Sequence, residues 1–157
     1  MRLKDRCKPF EEVAEIKYTV TIDSSANSVK SVSSKGIQIA DQDYYEILPD
    51  GTKKTEFTWD EAMEIEKKTH GKWRVPTQAE WYAIVAAFGT HDDGEVTGKT
   101  LAKNLNLTAD EDGYGYFWSS SVRSTTGAYY LGFGSTGVSP QAYSNKVFGF
   151  TVRCVAR

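Results

Sequence analysis

Two helix-initiating tetrapeptides lie close together in the middle of the chain and limit what the rest of it can form. The Thr-Trp-Asp-Glu sequence at 58–61 and the Thr-Gln-Ala-Glu sequence at 77–80 each place a glutamate three residues after a capping threonine. Apolar residues follow both boxes at helical spacing, and a glycine ends each segment, Gly71 after the first and Gly89 after the second. The sequence therefore predicts two helices over these spans.

Most of the remaining sequence has the composition and alternation of strands. Alternating apolar residues in 15–22 predict a half-buried strand, with an inner face that consists of Ile16, Tyr18, Val20 and Ile22. A Pro-Asp-Gly turn at 49–51 predicts a hairpin between short strands on either side. Further strand candidates lie at 36–40, 116–121, 128–133 and 146–157. Two early helices and a late antiparallel sheet make the predicted fold class α+β.

Three stretches lack a regular period and are predicted to be irregular. Residues 23–35 are polar and rich in serine. Residues 99–112 show no clear period and are predicted to form a long connection. Residues 134–145, rich in Gly and Ser, are predicted to be a loop beyond the strand at 128–133.

Length and charge exclude several classes of protein. The 157 residues carry a net charge of −2 and fit one globular domain over 1–157. No apolar run approaches the ~20 residues that span a bilayer, so we expect no membrane insertion. No signal peptide is visible either, and the near-neutral charge argues against a nucleic-acid partner.

Few side chains suit metal or nucleophilic chemistry. The sequence has only two cysteines, Cys7 and Cys154, and two histidines, His70 and His91. Acidic clusters at 92–95 and 110–112 miss the EF-hand spacing and are interpreted as solvated turns. We therefore predict no catalytic residue, no metal site and no cofactor.

The last 45 residues differ in composition from the rest. Residues 1–112 hold 15 basic and 21 acidic side chains, whereas 113–157 hold four basic and no acidic ones, with ten of the 20 aromatic residues. Tyrosine with serine and glycine is the composition of antibody-type binding surfaces, and loops on a rigid scaffold often carry recognition. The alternative is an ordinary aromatic core. If strand 128–133 buries Tyr129, Leu131 and Phe133, then Tyr130 and Gly132 point outward. The predicted ligand-binding residues are Arg123, Tyr130, Gly132, Ser135, Thr136, Ser139, Gln141, Tyr143, Ser144 and Asn145.

Three sequence blocks resemble a known family. Residues 73–81, WRVPTQAEW, resemble the signature of the bacterial branch of the C-type-lectin-like fold, which includes formylglycine-generating-enzyme-like and Fibrobacter major paralogous domains. GYFWSSS at 115–121, AYYL at 128–131 and GFTVRCV at 149–155 follow in the order of that pattern. The resemblance covers residues 57–157, whereas residues 1–56 resemble no family that we can name.

The resemblance implies a C-type-lectin-like fold with two helices, a twisted antiparallel sheet and chain ends close together. It extends to the variable proteins of diversity-generating retroelements, and 118–157 would then be the diversified binding segment. The function it implies is non-enzymatic binding of a protein or glycan receptor on a cell surface, with the protein on a virion or a bacterial surface. Homo-oligomers are compatible with it.

The same resemblance leaves alternatives open. Close chain ends are compatible with a Cys7–Cys154 disulfide, but two unpaired thiols are the simpler interpretation because pairing needs specific geometry and an oxidising compartment. The formylglycine-generating type of enzyme needs a reactive cysteine pair that binds copper, and Cys154 lies in a core-strand motif. A purely structural virion or adhesin module is a third alternative.

Overall fold

The computed structural model describes residues 8–21 and 36–156. The predictions that concern Cys7, Ile22 and the loop at 23–35 lie outside these ranges. In chain order the elements are α1 (Phe10–Val13), β1 (Ile16–Val20), β2 (Ile37–Ala40), β3 (Glu46–Ile47), β4 (Lys53–Lys54), α2 (Trp59–Met63), α3 (Ile65–Lys68), β5 (Trp73–Arg74), α4 (Gln78–Phe88), α5 (Gly98–Leu105), β6 (Gly115–Val122), β7 (Gly127–Phe133), β8 (Val138–Asn145) and β9 (Val155–Ala156).

The strands form three antiparallel sheets, so the fold class is α+β as predicted. One sheet has the order β1–β2–β9–β5, the second is the β3–β4 hairpin, and the third has the order β6–β7–β8. β1 and β9 belong to one sheet with β2 between them, so the first and last described strands are not direct neighbours. The hairpin confirms the turn at 49–51, where Gly51 has a positive φ of 87°.

Both predicted capping boxes are present. Thr58 accepts from the amide of Glu61, Thr77 accepts from the amide of Glu80, and each glutamate accepts from the amide of its threonine. The second helix is α4. The first predicted helix is divided into α2 and α3, with Glu64 between them. Gly71 has the predicted left-handed conformation, with a φ of 80°.

Two predictions of irregular structure are wrong. Helix α5 occupies the first part of 99–112, capped by the Thr97 hydroxyl and anchored by Leu101 and Leu105, both fully buried. Strand β8 occupies most of 134–145. Its residues are polar and have low strand propensity, and they are extended because their backbone pairs with β7. In β1 the expected inner residue Ile16 is 46% exposed, beside a register shift between Ile16 and Tyr18.

Three buried tryptophans tie the elements together. The indole nitrogen of Trp81 donates to the carbonyl of Trp118 at 3.1 Å, and the indole nitrogen of Trp118 donates to the carbonyl of Phe57 at 2.7 Å. Trp73 lies in the same core as Trp118. Because each ring is buried and two of them also satisfy backbone carbonyls, they fix helix α4 and strand β6 relative to each other.

The end of the chain closes this core. Val152 and Cys154 are fully buried in the cluster around Trp73 and Trp118, and Phe150 and Ala156 pack against it. The four residues share one side of the chain as predicted, whereas Val155 between them is buried in the other cluster. The predicted strand at 146–157 is wrong in its extent, because the only strand described there is Val155–Ala156.

Within residues 8–21 and 36–156, none of the helices has the length and apolar character needed to cross a bilayer.

Candidate ligand-binding surface

The sheet β6–β7–β8 has two faces with different surroundings. Phe117 and Leu131 are paired across β6 and β7, and both are buried in a cluster with Trp81 of helix α4. The next pair along these strands is Trp118 with Tyr130. Because successive strand residues point to opposite faces, Trp118 and Tyr130 project away from helix α4.

We call this second face the open face. It carries Tyr116, Trp118, Tyr130, Gly132 and Ala142. Trp118 is fully buried there, because the core cluster around Trp73 packs on this part of the face. The ring of Phe150 lies 4.5 Å from the Trp118 ring, centroid to centroid. Phe150 also contacts Tyr130 at 4.8 Å and Tyr116 at 5.6 Å. These ring contacts fix the two tyrosines on the sheet.

Beside this aromatic group the open face contains a cleft of about 400 Å³. Tyrosine rings form part of its lining, and the turn between β7 and β8 contributes small and hydroxyl side chains. We call it the tyrosine cleft; its lining is Tyr114, Tyr116, Tyr130, Gly132, Phe133, Gly134, Ser135, Thr136, Gly137, Ser139 and Ala142. None of these side chains is acidic or basic. Three other cavities of the structure each include a carboxylate and a cationic side chain.

Glycine at two positions of the tyrosine cleft leaves room for tyrosine rings to pack against the backbone. A Cβ atom on Gly132 would lie 3.0 Å from a ring carbon of Tyr130, and one on Gly134 would lie 3.0 Å from a ring carbon of Tyr114. Real Cβ atoms rarely approach neighbours so closely. Glycine at both positions therefore lets the two rings rest against the backbone.

A tight turn positions Tyr114 at the start of β6. The carboxylate of Asp110 accepts from the amides of Asp112 and Tyr114, both at 2.9 Å, and Gly113 has a φ of 86°. The acidic cluster at 110–112 is thus a turn, as predicted. No group of three or more His, Cys, Asp or Glu side chains that could hold a metal ion occurs within the described ranges.

The hydroxyl of Tyr130, a lining residue of the cleft, is a neutral group. Burial raises the pKa of Tyr130, and the nearby Tyr116 raises it further. Tyr130 therefore stays protonated at neutral pH and can donate as well as accept a hydrogen bond.

A second group of predicted residues lies on the face opposite the cleft. Tyr143 is paired with Tyr129, whereas Tyr130 is paired with Ala142, so Tyr143 and Tyr130 point to opposite faces. The guanidinium carbon of Arg123 lies 3.6 Å from the Tyr143 ring centroid. Tyr129 was predicted to be core, but it is only half-buried and contacts Tyr143 edge-on at 6.4 Å.

The predicted site residues are therefore divided. Five of them line the tyrosine cleft: Tyr130, Gly132, Ser135, Thr136 and Ser139. Arg123 and Tyr143 form the cation–π pair on the other face. Gln141, Ser144 and Asn145 lie on β8 outside the cleft lining, and the Asn145 side chain accepts from the amide of Val147 at 3.1 Å.

Sequence reasoning missed two exposed tyrosines of the cleft. Tyr114 and Tyr116 flank Gly115 at the start of β6 and are 51% and 41% exposed. Alternation in β6 offered a signal, because Phe117 was an evident core residue and its neighbour Tyr116 then had to face the other way.

The cysteine of the closing motif lies deep in the protein. Cys154 is fully buried, and this burial raises the pKa of its thiol far above the ordinary value. A thiol in this environment is protonated and unreactive.

No protein-family model matches this chain, and no significantly similar curated protein was found.

Proposed function

We propose that this protein is a non-enzymatic binding domain of the C-type-lectin-like fold that holds a ligand or cell-surface receptor in the tyrosine cleft. The observation that carries the proposal is the cleft itself: an uncharged concave surface with half-exposed tyrosines fixed on a sheet. The proposal places the protein on a virion or a bacterial cell surface.

The exposed tyrosines support a binding role. Tyr114 and Tyr116 keep about half of their surface in contact with water although the core nearby has closely packed aromatic rings. Tyrosine loses little conformational entropy when it binds and presents both a ring and a hydroxyl. Exposed aromatic clusters of this kind often mark recognition sites.

The proposed fold draws support from what its signature residues do. Both guanidinium nitrogens of Arg74 donate to the carboxylate of Glu80 at 2.7 Å, and the amide of Thr77 donates to the same carboxylate at 2.8 Å. Trp73 and Trp81 at the ends of the motif are fully buried. The motif at 73–81 therefore acts as a structural unit that connects β5 to α4.

The retroelement part of the proposal concerns residues 118–157. This range contains β7 and β8, and hence five of the residues that line the cleft and were predicted from sequence. Sequencing of the DNA around the gene tests it. A near-copy of this coding segment that differs mainly at adenines, beside a reverse transcriptase gene, is the expected result; without both, the cleft belongs to a protein of fixed sequence.

The burial of Cys154 argues against the formylglycine-generating type of enzyme. That chemistry needs thiolates that bind copper, and the Cys154 thiol is protonated and enclosed. Tight copper binding that is lost in Cys154→Ser would contradict the non-enzymatic proposal.

Binding to whole cells tests the function. Fluorescently labelled protein is titrated onto a panel of bacterial and animal cells, with Tyr114→Ala as the cleft variant and Tyr82→Ala as the control. Tyr82 is similarly exposed, at 48%, and lies on helix α4 outside the cleft.

Saturable binding to at least one cell type, weakened tenfold or more by Tyr114→Ala and unchanged by Tyr82→Ala, is the expected result. A domain with only a structural role would bind none of the cells, or would bind them equally well with the cleft residue removed.

A further inference from the structure

We infer that the ligand of the tyrosine cleft is a neutral glycan, recognised without a metal ion. The inference rests on the proposed binding function and specifies the chemistry of its ligand. Three features of the cleft lead to it: the charge of the lining, the faces of the tyrosine rings and the hydroxyl groups around them.

The lining selects against charged ligands. An anionic ligand would meet no cation among the residues that line the cleft. Arg123 stacks on Tyr143 on the other face, the amine of Lys146 donates to the Thr125 carbonyl at 3.1 Å, and Arg153 is fully buried. A cationic ligand would likewise find no carboxylate in the lining, since the nearby Asp110 carboxylate accepts from the amides of the turn at 110–114. Charge complementarity therefore favours a neutral ligand.

The tyrosine rings suit the apolar face of a sugar. One face of the Tyr116 ring stacks on Phe150, with an angle of 22° between the rings, and Tyr116 remains 41% exposed. The face of an aromatic ring is electronegative and attracts C–H groups, which carry partial positive charge. A pyranose has such C–H groups on one face, and these can pack on the exposed part of Tyr116.

Hydroxyl groups surround the rings and suit the sugar's own hydroxyls. Ser135, Thr136 and Ser139 line the cleft, and their side-chain hydroxyls have no hydrogen-bond partner among the described residues. Each hydroxyl can both donate and accept, as each sugar hydroxyl can. The volume of about 400 Å³ lies within the range of small-ligand sites, about 300–1,000 Å³.

The position of the cleft disfavours an extended peptide. Peptides often bind by adding a strand to a sheet edge, where backbone groups are free. The cleft lies on the face of the sheet, and its central strand β7 is hydrogen-bonded to β6 on one side and to β8 on the other. A peptide that paired with the edge strand β8 would lie beside the sheet and not over its face. A proline-rich peptide, which needs no strand pairing, is the competing ligand that the experiment has to distinguish.

The test uses an array of immobilised oligosaccharides, with neutral hexose and N-acetylhexosamine chains and their sialylated or sulfated counterparts. A set of proline-rich peptides is printed beside them. The full chain is applied as wild type, Tyr116→Ala, Tyr116→Phe and Tyr82→Ala, with and without a metal chelator. Circular dichroism and thermal melting establish that each variant is folded.

The expected result is binding to neutral oligosaccharides in preference to their acidic counterparts, unchanged by the chelator and by Tyr82→Ala. Tyr116→Ala should weaken it at least tenfold, and Tyr116→Phe should recover most of the loss because the ring is kept. Binding only to acidic glycans or only to proline-rich peptides overturns the inference. Neutral-glycan binding that is lost with chelator, or that survives Tyr116→Ala, overturns it as well.

Treated cells separate this inference from the proposed function. Periodate, which cleaves sugar diols, should abolish cell binding, whereas protease treatment should leave binding to lipid-linked glycans. A different pattern would be binding that protease abolishes, that Tyr116→Ala weakens and that periodate leaves unchanged. The cleft would then be a protein-binding site. The proposed function then stands and the glycan inference fails. No binding to any cell or array would remove both.

Discussion

Tyr130 and Tyr143 project from opposite faces of the sheet β6–β7–β8, although their strands are adjacent. Tyr143 is paired with Tyr129, and Tyr130 is paired one position further along with Ala142. One residue of register thus assigns Tyr130 to the cleft and Tyr143 to the face on which Arg123 lies. A single ligand in the cleft cannot also contact Tyr143.

Replacement of Tyr143 should leave cell binding unchanged. Tyr143→Ala removes an exposed ring on the face opposite the cleft, whereas Tyr116→Ala removes ring area inside it. We expect no change in affinity for the first variant and a loss of about 1–3 kcal/mol for the second, as for tyrosine hot spots in general. The measurement is a titration of labelled protein on cells. A larger loss for Tyr143→Ala would move the binding site to the Arg123 face.

Replacement of Tyr130 should lower stability as well as binding. Its ring contacts Phe150 at 4.8 Å and Trp118 at 6.4 Å, so Tyr130→Ala opens a gap in the aromatic group. We expect the free energy of unfolding to fall by about 2 kcal/mol, because the residue is only half-buried. Urea denaturation measures it, with Tyr130→Phe as the matched control that keeps the ring. Equal stability of the alanine variant and the wild type would contradict this packing.

The ion pair between Arg74 and Glu80 should contribute strongly to stability. The Glu80 side chain is almost fully buried and accepts from both guanidinium nitrogens of Arg74. Arg74→Ala leaves this carboxylate without its cation, which should cost about 3–5 kcal/mol. The double variant Arg74→Ala/Glu80→Gln should recover part of that loss because the buried charge is removed. Urea denaturation of both variants measures these changes. If the single variant lost less than ~1 kcal/mol of unfolding free energy, the ion pair would not be a strong contributor to stability.

An added methyl group at Gly98 should destabilise the turn beside the cleft. A Cβ atom there would lie 1.9 Å from the Gly134 carbonyl oxygen and 2.9 Å from the Cβ of Phe133. Helix α5 would have to move away from the β7–β8 turn, at a cost of about 1–3 kcal/mol. Gly137→Ala is the control, since a Cβ at Gly137 meets nothing within 4 Å. Thermal melting should give a clearly lower melting temperature for Gly98→Ala than for Gly137→Ala. Similar melting temperatures would refute the close contact.

The Cys154 thiol should be inert in the folded protein. Burial raises its pKa, so at pH 8 the native protein has little thiolate, and the core encloses what there is. In a Cys7→Ser background, we expect a thiol reagent to react at least about tenfold faster in urea than in buffer. The same shift makes the native state bind a proton that the unfolded state releases, so stability should fall as pH rises above about 8.5. Rapid modification in buffer would show that Cys154 is accessible.

Local sequence signals predicted much of the fold. The boxes at Thr58 and Thr77 and the turn at Gly51 each act within a few residues, and the structure confirms all three. Such signals need no tertiary partner, because a side-chain cap or a glycine with positive φ is set by neighbours along the chain.

Tertiary structure decided the elements with weak local signals. Helix α5 has few apolar residues, and it is stable because Leu101 and Leu105 enter the core beside Trp81. Strand β8 is polar, and it is extended because its backbone pairs with β7. In both cases the stabilising contact comes from residues distant in sequence, which a local pattern does not reveal.

The candidate site shows the same division. The sequence by itself determined that residues 113–157 lack acidic side chains and are rich in tyrosine, glycine and serine. Only the tertiary structure decided which of those side chains meet, because one residue of register separates Tyr130 from Tyr143 and Phe150 covers one side of Tyr116. Composition specifies the chemistry available for binding, while strand register and packing select the side chains that share one surface.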